Sequence, residues 1–111
     1  MTEISASGNT LQIGNQTVEF EYGIDDLVQL NGIIVVLLNI PTGETNNRNV
    51  IGLDQNGSIR WRIEELNSER TDKPYVEIDI TNGELVADNW MGVQAIVDID
   101  TGAVKDTKLT K

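Results

Sequence analysis

Two stretches of this chain share one pattern: an apolar segment ends in an aspartate, a glycine turn follows, and a second segment leaves the turn. The first is Val50-Ile51-Gly52-Leu53-Asp54-Gln55-Asn56-Gly57-Ser58-Ile59-Arg60-Trp61, and the second is Ala95-Ile96-Val97-Asp98-Ile99-Asp100-Thr101-Gly102-Ala103-Val104-Lys105. Their turn glycines, Gly57 and Gly102, lie 45 residues apart. Similarity at a fixed period of about 20 to 50 residues is typical of repeat architectures. The pattern therefore favours folds in which one small unit is repeated.

Turn residues at short intervals predict that these units consist of β-strands. Asn31-Gly32 separates two apolar segments and is a strong hairpin signal, and Asn82-Gly83 and Gly14-Asn15 are comparable dipeptides. A helix across residues 24–40 is the alternative, but Asn31-Gly32 and the β-branched residues after it argue against one.

Apolar patterning indicates which faces of the strands are buried. Ile33–Leu38 is apolar on both faces, which predicts a central strand covered on two sides. Other segments alternate, as in residues 75–80, where Val76, Ile78 and Ile80 oppose Glu77 and Asp79. The polar stretch 41–49 is predicted to be a surface loop, and 64–73 a linker.

The glycine-turn motif also resembles a known repeat. Residues 97–102 read as a strand ending in aspartate and then a Thr-Gly turn, and Trp61 lies on the strand that leaves the first turn. This combination resembles the blade repeat of quinoprotein-type β-propellers, and small bacterial proteins built from such units. The likeness covers about two-thirds of the chain. The second copy departs from the pattern, with Asp106 near the tryptophan position, and the first turn is one residue shorter.

The resemblance implies blade-like sheets in an all-β fold. We expect a single domain over 1–111: antiparallel meanders in two four-stranded blade-like units, about 24–64 and 74–110, plus an N-terminal hairpin, packed as a small two-layer sheet structure. Two blades cannot close a ring, since propellers use about four to eight. Because the quinone of such proteins sits at the centre of a closed ring, we expect no cofactor.

Composition excludes several kinds of catalysis. The chain has no cysteine and no histidine, so thiol chemistry, Ser-His-Asp triads and the usual zinc sites are absent. Residues 54–57 and 98–102 resemble calcium loops, but their glycines fall too early for a calcium-binding loop. Aspartates capping their own turns are the simpler interpretation. Paired carboxylates suit a glycosidase only across a cleft, and these lie on strand faces exposed to water. We predict a protein that is not an enzyme, with no catalytic or metal-binding residues.

Charge is distributed unevenly along the chain. The net charge is −10, and residues 1–47 carry six carboxylates and no lysine or arginine. Such a field repels nucleic acid and anionic membranes and speeds encounter with basic partners, although solvation alone is the alternative. The N-terminus lacks the features of a secretion signal, and the longest apolar run is six residues. We expect a cytoplasmic protein that binds neither membranes nor nucleic acid.

The two tryptophans are predicted to differ in role. Trp61 lies on an apolar strand face and is expected in the core, whereas Trp90 stands beside the Met91-Gly92 break and is a candidate partner anchor. The other candidate partner-binding residues are acidic: Asp25, Asp26, Glu77 and Asp79. The arginines at 48, 60 and 62 are expected to pair with carboxylates across strands.

These features favour a non-catalytic domain that binds another protein. Its sharpest form is an acidic immunity or antitoxin-type inhibitor of a basic bacterial toxin, for which charge complementarity speeds association. One alternative is a structural or assembly module that pairs through sheet edges, including a homo-oligomer. Another is a small-ligand or carbohydrate-binding module in which Trp90 and Tyr75 are stacking platforms.

Overall fold

The computed structural model describes residues 3–41, 43–44, 46–65 and 74–109. Over these residues the chain forms strands β1 (Ile4–Ser7), β2 (Thr10–Ile13), β3 (Gln16–Glu19), β4 (Ile24–Leu30), β5 (Ile33–Leu38), β6 (Val50–Leu53), β7 (Ile59–Arg62), β8 (Tyr75–Thr81), β9 (Glu84–Asn89), β10 (Val93–Val97) and β11 (Val104–Leu109). No helix that is long and apolar enough to cross a bilayer occurs in these ranges. Most of the predicted linker, 66–73, lies outside the described residues.

The strands form three antiparallel sheets, each a meander of strands consecutive in the chain. The N-terminal sheet is β1-β2-β3, the first four-stranded sheet is β4-β5-β6-β7, and the second is β8-β9-β10-β11. The predicted all-β fold with two four-stranded units is confirmed. The predicted N-terminal hairpin is β2–β3, and β1 adds a third strand to it. Patterning missed β1 because its residues are mostly small and exposed.

The two four-stranded sheets begin with the same tight hairpin. Asn31 and Gly32 have φ angles of 52° and 79°, and Asn82 and Gly83 have 52° and 76°. Two successive left-handed residues make a type I′ turn, whose twist matches that of the strands it joins. The Asn-Gly pairs therefore form the turns that were predicted, and they set the register of β4 with β5 and of β8 with β9.

Strand β5 is the centre of the molecule, as its apolar sequence predicted. All six of its residues are buried. Ile33, Val35 and Leu37 pack toward the second four-stranded sheet, in a cluster that also contains Trp61 and Tyr75. The alternate residues of β5 pack toward the N-terminal sheet, in a cluster with Leu11, Ile13 and Phe20. The first four-stranded sheet is thus covered on both faces.

Part of the polar stretch 41–49 is buried, contrary to the predicted surface loop. The Asn49 side chain is fully buried: its Nδ2 donates to the carbonyls of Leu38 (2.7 Å) and Tyr75 (2.8 Å), and its Oδ1 accepts from the Tyr75 N–H (2.9 Å). A buried amide is tolerated because each of these groups gains a partner. Asn49 therefore joins the first four-stranded sheet to the start of the second.

Candidate functional site

A groove lies where the two four-stranded sheets meet, and we name it the Trp90 groove. Its volume is about 240 Å³. It collects side chains from β4, the end of β5, the start of β8 and the residue after β9, and those that line it include Asp25, Leu38, Ile40, Pro74, Val76 and Trp90. The structure thus brings together Trp90 and Asp25, two of the residues predicted to bind a partner.

Two equivalent β-bulges bring side chains to this groove. In β4 the register shifts between Ile24 and Asp26, which leaves Asp25 as the extra residue. In β8 the same shift between Tyr75 and Glu77 leaves Val76 as the extra residue. A bulge re-aims the side chain of the unpaired residue. The prediction that Val76 shares the buried face of Ile78 is therefore wrong: Val76 is 48% exposed.

Trp90 lies in the tight turn that joins β9 to β10. The Oδ1 atom of Asn89 accepts the backbone N–H groups of Met91 (2.9 Å) and Val93 (3.0 Å). The backbone N–H of Trp90 donates to the carbonyl of Pro74 at 3.1 Å. These hydrogen bonds fix the turn to the start of the second four-stranded sheet. The backbone that carries the Trp90 indole is therefore held in one position.

The apolar side chains around this turn are open to solvent. Trp90 is 65% exposed and Met91 is 50% exposed. Scattered single apolar residues on a surface are normal, but here exposed Trp90 and Val76 line one groove, and Met91 is the neighbour of Trp90 in the turn. Tryptophan is among the residue types that dominate binding energy at protein interfaces. Sequence reasoning singled out Trp90 and missed Val76, because a bulge leaves no mark in the alternation of the sequence.

Charge is segregated between the inner and outer strands of the two four-stranded sheets. The first strands, β4 and β8, carry the four predicted partner-binding acids, Asp25, Asp26, Glu77 and Asp79. The last strands, β7 and β11, carry four of the five basic residues that the structure describes, Arg60, Arg62, Lys105 and Lys108. Acidic side chains are therefore concentrated on the first strands and most described basic side chains on the last strands, where β11 also carries Asp106.

The four acids do not form one cluster. Asp25 lines the Trp90 groove and Asp26 is its neighbour on β4. Glu77 and Asp79 line a separate hollow of about 50 Å³ on the second four-stranded sheet, together with Asp88. Glu77 and Asp88 are direct cross-strand partners, and like charges in that position destabilise a sheet. Among the described residues, no group of three or more acidic side chains could hold a metal ion.

Tyr75 is a core residue, so the prediction of a stacking platform at this position is wrong. Its side chain is 2% exposed, and its hydroxyl donates to the carbonyl of Glu64 at 2.8 Å. Burial raises the pKa of the Tyr75 hydroxyl far above its usual value, and the charges of Glu64 and Glu65 raise it further. A buried ring that packs the core cannot stack on a sugar.

The glycine turns of the two repeats are closed by their aspartates, as predicted. Asp54 Oδ1 accepts the backbone N–H groups of Asn56 (2.9 Å) and Ser58 (3.1 Å), and Asp98 Oδ1 accepts that of Asp100 (2.8 Å). Among the described residues, Arg48 does not form the predicted cross-strand ion pair. Its guanidinium instead donates to the backbone carbonyl of Ile63.

The architecture is that of propeller blades. Seven chains of solved structures match it; one is the crystal structure of BamB from Moraxella catarrhalis, a β-propeller, with a TM-score of 0.63 at 16% sequence identity. The match covers 96% of this chain, and so includes the N-terminal sheet, and 32% of the BamB chain. This chain therefore spans about a third of the length of that structure. The likeness shows a propeller-like fold of antiparallel blades.

A family assignment follows from the sequence match. Residues 1–109 match the family described as "Domain of unknown function (DUF7957)", and the chain belongs to this family. No curated protein matches the sequence at a significant level.

Proposed function

We propose that this chain is a non-catalytic protein-binding domain that engages a basic partner through the Trp90 groove. The observation that carries the proposal is the juxtaposition of exposed Trp90 and Val76 with the Asp25 carboxylate at one groove. An aromatic anchor surrounded by apolar contacts supplies binding energy. Acidic side chains beside it favour a basic partner and speed the encounter.

A basic partner is favoured over a second copy of the same chain. Two copies would each bring a net charge of −10, and like charges oppose their association. A partner that supplies lysine or arginine opposite Asp25 and Asp26 relieves the repulsion between these two carboxylates. In its sharpest form the proposal is an immunity or antitoxin-type inhibitor that covers a basic bacterial toxin in the cytoplasm.

The alternative of assembly through sheet edges has less support. The outer edge strands β7 and β11 carry arginine and lysine side chains, and charged residues of this kind protect a sheet edge from pairing with another chain. The alternative of a carbohydrate-binding module is also less supported, because Tyr75, one of the two aromatic rings expected to stack on a sugar, is buried. Trp90 alone remains as a stacking surface.

We also infer that the two four-stranded sheets are two blades of the quinoprotein type. Two features support this. The strands, hairpin turns and bulges of the two sheets recur in the same order. In addition, Trp61 on the last strand of the first sheet packs against Gly102 in the turn of the second.

The experiment has two stages. The wild-type chain and the Trp90→Ala variant are each used to capture and cross-link proteins from lysate of the source organism at low and high salt. We expect a basic protein that the wild type retains at low salt and the variant does not. Its affinity for purified variants is then measured, and we expect Trp90→Ala to weaken binding by at least about tenfold, or about 1.4 kcal/mol.

Matched control variants distinguish the effect of losing a groove residue from the effect of losing any exposed apolar or acidic side chain. Ile59→Ala removes another exposed apolar side chain, 49% exposed and outside the groove, and we expect unchanged affinity. Asp25→Asn with Asp26→Asn is compared with Glu19→Gln with Glu21→Gln, since both pairs change net charge equally. Only the first pair should slow association. Equal effects of the two pairs, or a partner indifferent to Trp90, would contradict the proposal.

A further inference from the structure

A second groove lies beside the last strand of the first four-stranded sheet, and we name it the arginine groove. It runs between the end of β7 and the β10–β11 turn and has a volume of about 490 Å³. The residues that carry the argument are Arg48, Arg62, Glu65 and Gly102, all of which line it. It shares no lining residue with the Trp90 groove. It is therefore a separate place on the surface.

The guanidinium of Arg48 is held in a fixed orientation at this groove. Its Nε donates to the Ile63 carbonyl at 3.0 Å, and its Nη2 donates to the Arg62 carbonyl at 3.3 Å. Backbone carbonyls are neutral, so these bonds orient the fork without neutralising its charge. The remaining N–H donors of the guanidinium are left for a ligand.

The second guanidinium, that of Arg62, is without a side-chain partner among the described residues. Glu64 also lines the groove, and its Oε1 accepts the backbone N–H of Val104 at 2.8 Å, which ties this carboxylate to the neighbouring sheet. Glu65 is exposed and also lines the groove. The groove therefore presents two guanidinium groups, from Arg48 and Arg62, and the carboxylate of Glu65.

We propose that the arginine groove binds a free α-amino acid. The carboxylate of the ligand is held by Arg48 and Arg62, since guanidinium forks match carboxylates in geometry and charge. The ammonium of the ligand lies toward Glu65. A phosphate is disfavoured because Glu64 and Glu65 repel a multiply charged anion at short range. The volume falls within the range of small-molecule sites, about 300 to 1,000 Å³.

The two tryptophans give separate readouts for the two grooves. Trp61 packs against Gly102 and so lies beneath the arginine groove, whereas Trp90 lines the other groove. ¹⁵N NMR spectra are recorded during titration with a panel of amino acids, acetate, methylammonium and inorganic phosphate. We expect at least one amino acid to move the indole N–H signal of Trp61 and to leave that of Trp90 in place. Acetate should bind about tenfold more weakly than that amino acid.

Variants assign the two charges of the ligand. Arg62→Gln should weaken binding of the amino acid about tenfold, and the control Arg60→Gln, on the same strand but outside the groove, should leave it unchanged. Glu65→Gln should weaken binding of the amino acid but not binding of acetate, because acetate has no ammonium group. Dispersed backbone amide signals in the ligand-free spectrum show that each variant is folded.

Three results would overturn this assignment. They are a Trp61 signal that no amino acid moves, a preference for phosphate, and equal losses in Arg62→Gln and Arg60→Gln. None of them bears on the Trp90 groove, so the failure of this proposal is distinguishable from the failure of the proposed function.

Discussion

The indole Nε1 of Trp61 donates a hydrogen bond of 2.7 Å to the carbonyl of Ile99, which lies 38 residues further along the chain in the turn between β10 and β11. The ring is enclosed by two glycines, Gly52 beside it in its own sheet and Gly102 in the neighbouring turn. A Cβ atom at either glycine would overlap the ring. One tryptophan thus joins the two four-stranded sheets because both neighbours lack a side chain.

Gly102→Ala is expected to destabilise the chain by about 2–4 kcal/mol, since two penalties combine. The residue has a φ of +76°, where an L side chain is strained, and its new Cβ would lie 2.6 Å from Cε3 of Trp61. Urea denaturation monitored by tryptophan fluorescence measures the loss.

Gly83→Ala is the matched control for this change. Its φ is also +76°, but nothing lies within 4 Å of the Cβ position. It therefore has the backbone penalty alone, about 1 kcal/mol. Equal losses in the two variants would mean that a Cβ at residue 102 is accommodated without overlap with the Trp61 ring, contrary to the packing described.

The difference between these glycines shows how far the sequence can be read. Asn31-Gly32 and Asn82-Gly83 identify hairpins because the preference of those residues for left-handed backbone is local. Gly102 was recognisable as a turn residue for the same reason. That it must also make room for Trp61 depends on how two sheets stack, and no local pattern contains that information.

The candidate site was predictable to a similar extent. Trp90 stood out because it is an aromatic residue beside a glycine break, and its exposure agrees with that interpretation. The sequence indicates Asp25 only through its charge. The presence of Val76 at the same groove follows from a bulge in each first strand, and simple alternation assigned Val76 to the wrong face. Long-range packing decides such details.

Asn49→Ala is expected to destabilise the chain by about 2–4 kcal/mol. The change leaves the Tyr75 N–H and the carbonyls of Leu38 and Tyr75 without the amide that satisfies them in a buried site. The free energy of unfolding from urea titration is the measurement. Asn56→Ala, in an exposed turn, is the control and should stay within about 0.5 kcal/mol of the wild type.

The two tryptophans should separate stability from binding. Trp61→Ala empties a buried site and is expected to cost about 3–5 kcal/mol. Trp90→Ala removes a side chain that is 65% exposed and should change the free energy of unfolding by less than about 0.5 kcal/mol. Thermal and urea denaturation of both variants are the test. A large loss of stability in Trp90→Ala would mean that this side chain serves the fold and would remove the main support for a binding role.

The raised pKa of the Tyr75 hydroxyl predicts that the free energy of unfolding decreases at alkaline pH. Burial, followed by the charges of Glu64 and Glu65, raises the pKa of its hydroxyl above the ordinary value, which is about 10 in an unfolded chain. Above about pH 10 the unfolded state releases this proton while the folded state keeps it, so stability falls as pH rises further. Below that pH both states hold the proton and the contribution is fully present.

The comparison with Tyr75→Phe isolates this titration from that of the lysines. At neutral pH the variant should be less stable than the wild type by about 1 kcal/mol, because it lacks the hydrogen bond to the Glu64 carbonyl. Phenylalanine has no proton to release. The difference in free energy of unfolding between the wild type and Tyr75→Phe should therefore narrow above about pH 10, and it can reverse sign. Urea midpoints of both proteins at neutral and alkaline pH measure it. A constant difference across that range would show that the hydroxyl ionises equally readily in the folded and unfolded chains.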